Sequence, residues 1–184
     1  MPESILFLPE CHVDTALMRA LLYDRQKLIT HIKGAPKVGD ALHQQAERYG
    51  SSRVVIAMVD NDKHLFSIPK LKPFDQVVLR CEEPGCLFVV YRHRKLASQY
   101  LIVLDPACDG WLYGNLRAAG LQPQAYQLPE LLNDFLGFTK SIRAEEQPEI
   151  VSLLKALRTS APPAYARLAA FVTERLGEAG QAGW

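Results

Sequence analysis

The sequence predicts an α/β fold: a mostly parallel sheet flanked by helices, with additional C-terminal helices. Three observations carry this. The runs Ile5-Leu6-Phe7-Leu8 and Val54-Val55-Ile56-Ala57-Met58-Val59 are apolar at every position, the pattern of short strands covered on both faces. The segments between them read as helix, short strand, helix. Beyond about residue 120 no further strand pattern occurs and helical spacing takes over.

The first strand ends at Pro9-Glu10. Over 12–27, Val13, Ala16, Leu17, Ala20 and Leu21 recur at helical spacing, with Asp14 placed as an N-cap. Leu28-Ile29-Thr30-His31-Ile32 reads as a short strand. A second helix over 38–49 is closed by Gly50, and the next strand covers 53–59. The result is βαβαβ, whose crossovers are right-handed. From 63 to 74 Pro69 and Pro73 break any regular pattern. Strands over 76–81 and 86–91 meet at the Pro84-Gly85 turn, and a strand over 100–104 ends at Asp105. Residues 109–119 are helical, with Gly120 as the stop. Three helices remain: 128–141, with Leu131, Leu132, Phe135 and Leu136 as its apolar face; 146–158, with Pro148 in its first turn; and 162–176. A mobile tail is expected from about 177. The expected division is an α/β core over 1–120 and a helical extension over 121–184 packed on it.

A formal charge of +1, from 21 basic and 20 acidic residues, means that any nucleic-acid surface has to be local. No apolar stretch is long enough to span a bilayer, and the acid-flanked N-terminal run lacks the basic start of a signal peptide. The expectation is a soluble, cytoplasmic protein with no membrane partner. Cys11, Cys81, Cys86 and Cys108 lack C-x-x-C spacing and read as reduced thiols, two of them beside acids.

Both fully apolar strands end in acid: Glu10 after the first, Asp60-Asn61-Asp62 after the third. In a βαβαβ unit these emerge together at the carboxyl edge of the sheet, where open α/β sheets place their ligands. Carboxylates gathered there repel one another unless a cation lies between them. The arrangement therefore predicts a hard divalent ion with oxygen ligands, Mg²⁺ or Mn²⁺. Asp105 and Asp109 are additional candidates if the strand over 100–104 lies alongside. Local roles compete for some of these residues: N-cap for Asp14, turn for Asp62, helix entry for Asp105-Pro106. No local capping role offers itself for Glu10 or Asp60. His12 reads as a surface imidazole.

Glu10-Cys11-His12-Val13-Asp14, followed after an intervening α-β-α by Asp60-Asn61-Asp62, resembles the Toprim domain. That metal-binding α/β fold is shared by topoisomerases, bacterial primases, small maturation ribonucleases and the OLD family of nucleases. Its members carry a Glu at the end of the first strand, commonly as E-G-x-x-D, and a later D-x-D. The resemblance covers roughly the first 110 residues. Asp109-Gly110-Trp111-Leu112 is similar to an E-A-W-L motif of small bacterial Toprim-like proteins. The resemblance implies Mg²⁺-dependent phosphodiester chemistry on nucleic acid, most simply by a nuclease, with Glu10 as the catalytic acid or base. Asp60 and Asp62 would be metal ligands and Asp14 would support them. Cys11 stands where the family has Gly, a position of close backbone approach. That departure favours the competing implication: a non-catalytic Toprim-like module acting through a protein partner, or as a homo-oligomer through its C-terminal helices. An unrelated Rossmann-like fold with coincidental acids is the third alternative.

Lys63, Lys70 and Lys72, with Arg92, Arg94 and Lys95, are the candidate nucleic-acid contacts, and Phe66 and Tyr91 the candidate stacking faces. A solvated linker and loop explain the same residues. The nuclease reading gains if they flank the acidic edge and loses if they lie opposite; DNA and RNA both stay open as substrates. Gly34-Ala35-Pro36-Lys37-Val38-Gly39 has the opening spacing of a P-loop, but Asp40-Ala41 replaces the required Lys and Ser/Thr. No G-x-G-x-x-G, G-x-S-x-G or H-E-x-x-H is present.

Overall fold

A computed structural model describes residues 4–181. Strand β1 (Ile5–Pro9) is followed by helices α1 (His12–Leu22) and α2 (Ala35–Tyr49) and by β2 (Val54–Asp60). Strands β3 (Phe74–Cys81), β4 (Leu87–His93) and β5 (Gln99–Asp105) come next, then helices α3 (Cys108–Ala118), α4 (Leu132–Lys140), α5 (Pro148–Ser160) and α6 (Pro163–Gln181). The five strands make one sheet in the order β1-β2-β5-β4-β3.

The sheet is mixed, which corrects the expectation of a mostly parallel one. β1, β2 and β5 run parallel, whereas β4 is antiparallel to both β5 and β3. The cause is connection length: the links 82–86 and 94–98 are too short for a crossover, and only antiparallel neighbours accept such links. The strand expected over 28–32 is reduced to an edge segment beside β1. Thr30 N donates to Phe7 O and Ile32 N to Pro9 O, both at 2.9 Å, but only Phe7 and Ile29 form a bridge. The chain turns into α2 at Gly34, whose φ of +92° is open to glycine and strained for other residues, so the segment ends there.

Alternation along the strands divides the core into two layers. Phe7, Ile56, Met58, Ile102 and Leu104 face α1, α3 and the C-terminal helices; Leu8, Val55, Ala57, Val59, Leu101 and Val103 face α2. The continuous apolar runs follow, because both faces are covered. Trp111 of the D-G-W-L motif is wholly buried and donates its indole N–H to Cys86 O at 3.0 Å. Leu153, Leu157, Leu168 and Val172 belong to the same core as Trp111.

Three boundaries move. The N-cap of α1 is Cys11, not Asp14. Leu131 and Leu132, expected on the apolar face of α4, are exposed while Phe135 is buried. The expected mobile tail from 177 continues α6 as far as Gln181, and residues 182–184 lie outside the described residues. Among the described residues no helix is long and apolar enough to cross a membrane.

Candidate functional site

Strand register builds the site. Pro9 pairs with Met58 and Asp60 with Leu104, so β1, β2 and β5 end at one edge. Glu10 and Asp60 meet there directly: Asp60 N donates to Glu10 Oε2 at 3.2 Å. Ala35 N, at the start of α2, donates to Glu10 Oε1 at 2.9 Å. Cys108 N, at the start of α3, donates to Asp60 Oδ1 at 2.8 Å. Each strand-end acid therefore satisfies an orphan N–H at the start of a helix distant in sequence. Such a role has no local signature.

Asp14 sits at the third position of α1. Its Oδ2 accepts from Cys11 N at 3.1 Å, while Asp14 N donates to Cys11 Sγ at 3.4 Å, a capping box with a thiol in place of the usual hydroxyl. Cys11 thus acts as the helix cap, a local role for the residue after Glu10. Asp14 is fully buried, and its Oδ1 has no N–H or O–H donor; the Cys108 thiol is the weak donor close to this carboxyl. A buried carboxylate oxygen left without a donor is costly and asks for a cation, a proton or a water.

The electrostatics follow from this crowding. Burial, reinforced by the charge of Asp60, holds the Asp14 carboxyl well above the usual range. Burial, with the charges of Glu10 and Asp109, pushes Asp60 up to about 6 against the pull of the Cys108 N–H and Lys140. Glu10 is also raised, chiefly by burial, and by Asp62 to a smaller degree. Burial next to these acids drives the Cys11 and Cys108 thiols upward too, which makes them poor nucleophiles.

Asp109 joins the group: it is buried, accepts from its neighbour Gly110 N at 2.8 Å, and adds its charge to Asp60. A cavity of about 200 Å³ opens here, lined by Cys11, His12, Asp60, Cys108, Asp109 and Lys140. Asp62 is exposed and accepts from His64 N at 3.0 Å, the turn role, so it reaches the site only through its charge on Glu10. Asp105 stays apart, facing a separate cavity with Asn61 and Arg80.

The basic run lies at the wrong end. Leu87 pairs with Asp105 and Arg92 with Tyr100, so Arg92, Arg94 and Lys95 fall at the sheet edge opposite the acids. Arg94 pairs with Asp75 at 2.6 Å and Lys70 with Asp40 at 2.7 Å, while Arg92 is held by the Gln76 side chain. Lys72 is exposed ahead of β3, whose first residue Phe74 pairs with His93 at that far edge. Lys63, one residue beyond Asp62, is the one member of the set beside the acids in sequence. The candidate stacking rings Phe66 and Tyr91 pack edge to face on each other at 5.1 Å.

Sequence reading missed three participants. Lys140 and Thr139 come from α4, Thr139 reaching Asp109 Oδ2 at 3.5 Å. Glu145 holds His12 Nδ1 at 2.8 Å, and His12 stacks on His31 with ring centres 4.5 Å apart. These residues lie 30 to 133 positions from their partners, beyond the reach of any spacing rule.

Neither a family model, nor a curated protein, nor a solved structure matches this chain. Among the described residues no group of three or more His, Cys, Asp or Glu side chains is arranged to hold an ion unaided. Mg²⁺, however, keeps several waters and commonly takes only one or two carboxylates plus substrate phosphate. The hard oxygen donors of Asp14 and Asp60, an Asp14 Oδ1 that no N–H or O–H group reaches, and the lack of any ion pair to Glu10, Asp14 or Asp60 among the described residues fit that mode.

Proposed function

We propose that this chain is a Toprim-like protein that carries out Mg²⁺- or Mn²⁺-dependent phosphodiester chemistry on nucleic acid, most simply hydrolysis. The observation that carries the reading is the wholly buried Asp14 carboxyl, whose Oδ1 has no N–H or O–H donor and whose charge acts on that of Asp60 at the carboxyl edge. Asp60 and Asp14 would hold the ion, with Asp62 and Asp109 adding negative potential around it. When bound, such an ion orients the phosphodiester and stabilises developing charge. Glu10, raised by burial, is suited to keep a proton and donate it to a leaving oxygen. To do so it exchanges its longer bond, the 3.2 Å contact from Asp60 N, for substrate. Lys140 at the cavity and Lys63 beside Asp62 supply the local positive charge that the Arg92–Lys95 run does not.

A non-catalytic module acting through a partner is the second reading, and two observations favour it. Both oxygens of Glu10 are engaged by backbone N–H groups, and most of the expected phosphate contacts lie at the opposite sheet edge. Calorimetric titration of Mg²⁺ and Mn²⁺ into the wild type and Asp60→Ala, followed by cleavage assays on single- and double-stranded DNA and RNA, separates the two. Ion binding and cleavage that both disappear in Asp60→Ala support the nuclease. Ion binding without cleavage of any substrate supports the module, and equal ion binding by both proteins removes the ion site.

A further inference from the structure

Away from the acidic edge, α1 and α5 leave a groove between them. Ala16 and Ala20, one turn apart on α1, are too small to fill the space facing Leu154, and a cavity of about 180 Å³ results. That is below the range of small-molecule pockets and suits a single bulky apolar side chain. Its apolar rim is unusually open: Val151 is 50% and Tyr23 66% exposed. Three cations stand round it, Arg19, Lys155 and Arg158. Arg19 donates to Glu145 O at 3.2 Å, and the Arg158 guanidinium lies 4.2 Å from the Tyr23 ring centre. Among the described residues none of the three forms an ion pair with a carboxylate, and the acid that lines the cavity, Glu145, is committed to His12.

The same chain carries the complementary shape. Leu131 is 66% and Leu132 42% exposed, flanked by exposed Glu130 and Asp134, which have no ion-pair partners among the described residues. Leu131 occupies the N-cap of α4, a position where leucine is among the poorest residues and where no side-chain cap forms. Folding gives no reason for an exposed leucine there. An apolar knob between two acids matches an apolar groove between three cations in polarity and in charge.

We propose that the Glu130-Leu131-Leu132-Asp134 knob of one copy docks into the α1/α5 groove of a second copy. Knob and groove are distinct patches, so copies joined by this contact either close reciprocally about a two-fold axis or repeat head to tail into a ring or filament. This inference is independent of the chemistry at the acidic edge, although α1 forms a wall of the groove and also bears Asp14.

Complementation tests it. Sedimentation velocity of the full chain over a wide concentration range is expected to show concentration-dependent assembly to a dimer or larger. Leu131→Asp removes the knob and Lys155→Glu/Arg158→Glu the groove; each protein alone is expected to be monomeric, with circular dichroism unchanged from the wild type. Mixed one to one, they retain one intact groove and one intact knob between them, and are expected to form a dimer and nothing larger. A wild type that stays monomeric throughout, variants that assemble as the wild type does, or a mixture that stays monomeric would each overturn the proposal.

Discussion

Replacing Asp60 by Asn tests the electrostatic core of the site. The amide keeps an oxygen for the Cys108 N–H, so the cap of α3 survives, while the charge beside Asp14 and Glu10 is removed. Asp60 titrates at about 6 in the folded protein against an ordinary 3.8. A raised carboxyl contributes stability that is fully present below its unfolded value and is lost as pH rises through its folded one. Above pH 6 the ionised group therefore costs about 3 kcal/mol. Roughly half of that, about 1.5 kcal/mol, disappears between about pH 5 and pH 7.5. Glu10 and Asp14 are raised as well and act in the same direction. In EDTA, Asp60→Asn should gain on the wild type by about 1.5 kcal/mol over that interval, about 3–6 °C in melting temperature for a chain of this size. Thermal melts followed by circular dichroism at the two pH values measure it. Adding Mg²⁺ at the higher pH should raise the melting temperature of the wild type and leave the variant unchanged. Parallel pH profiles for the two proteins would refute the account of the buried acids, whatever the ion does.

Three further outcomes follow from named contacts. Glu10→Gln puts an NH₂ where one of two backbone N–H groups now donates, so Ala35 N or Asp60 N loses its acceptor; about 1–3 kcal/mol should be lost in urea unfolding, and an unchanged midpoint would contradict the bonding described. Gly114→Ala places a Cβ against the Gly85 carbonyl and 2.9 Å from Cys86 Sγ. It should cost about 1–3 kcal/mol in the same assay, because the β3–β4 turn has to shift off α3. Cys81, Cys86 and Cys108 are buried, and burial pushes the Cys86 thiol up to about 11. At pH 8 these thiols should react with a disulfide reagent far more slowly in the native protein than in urea, and rapid labelling of all four thiols in the native state would contradict their burial.

The parts legible in the chain are those governed by short-range periodicity. Uninterrupted apolar runs at 5–8 and 54–59 marked strands covered on both sides, and β1 and β2 are such strands, paired in parallel. With a helix and an edge segment between them, their carboxyl ends had to share an edge, so Glu10 and Asp60 came within reach of each other. Turn chemistry marked Gly50, Pro84-Gly85 and Gly120 for the same local reason.

Whatever depends on distant partners came only with the packed molecule. Four-residue periodicity could not tell that Asp14 would stand at the third position of α1 with one oxygen beyond the reach of any N–H or O–H donor. Nor could it tell that Glu10 and Asp60 would close the starts of α2 and α3. The antiparallel return of β4 carried Arg92–Lys95 to the far edge, and the fold of the C-terminal helices brought Lys140 and Glu145 in. Backbone preference and hydrophobic alternation act over a few residues and are written along the chain. Charge burial and donor supply are summed over everything within a few ångströms, and only the tertiary arrangement assembles that neighbourhood.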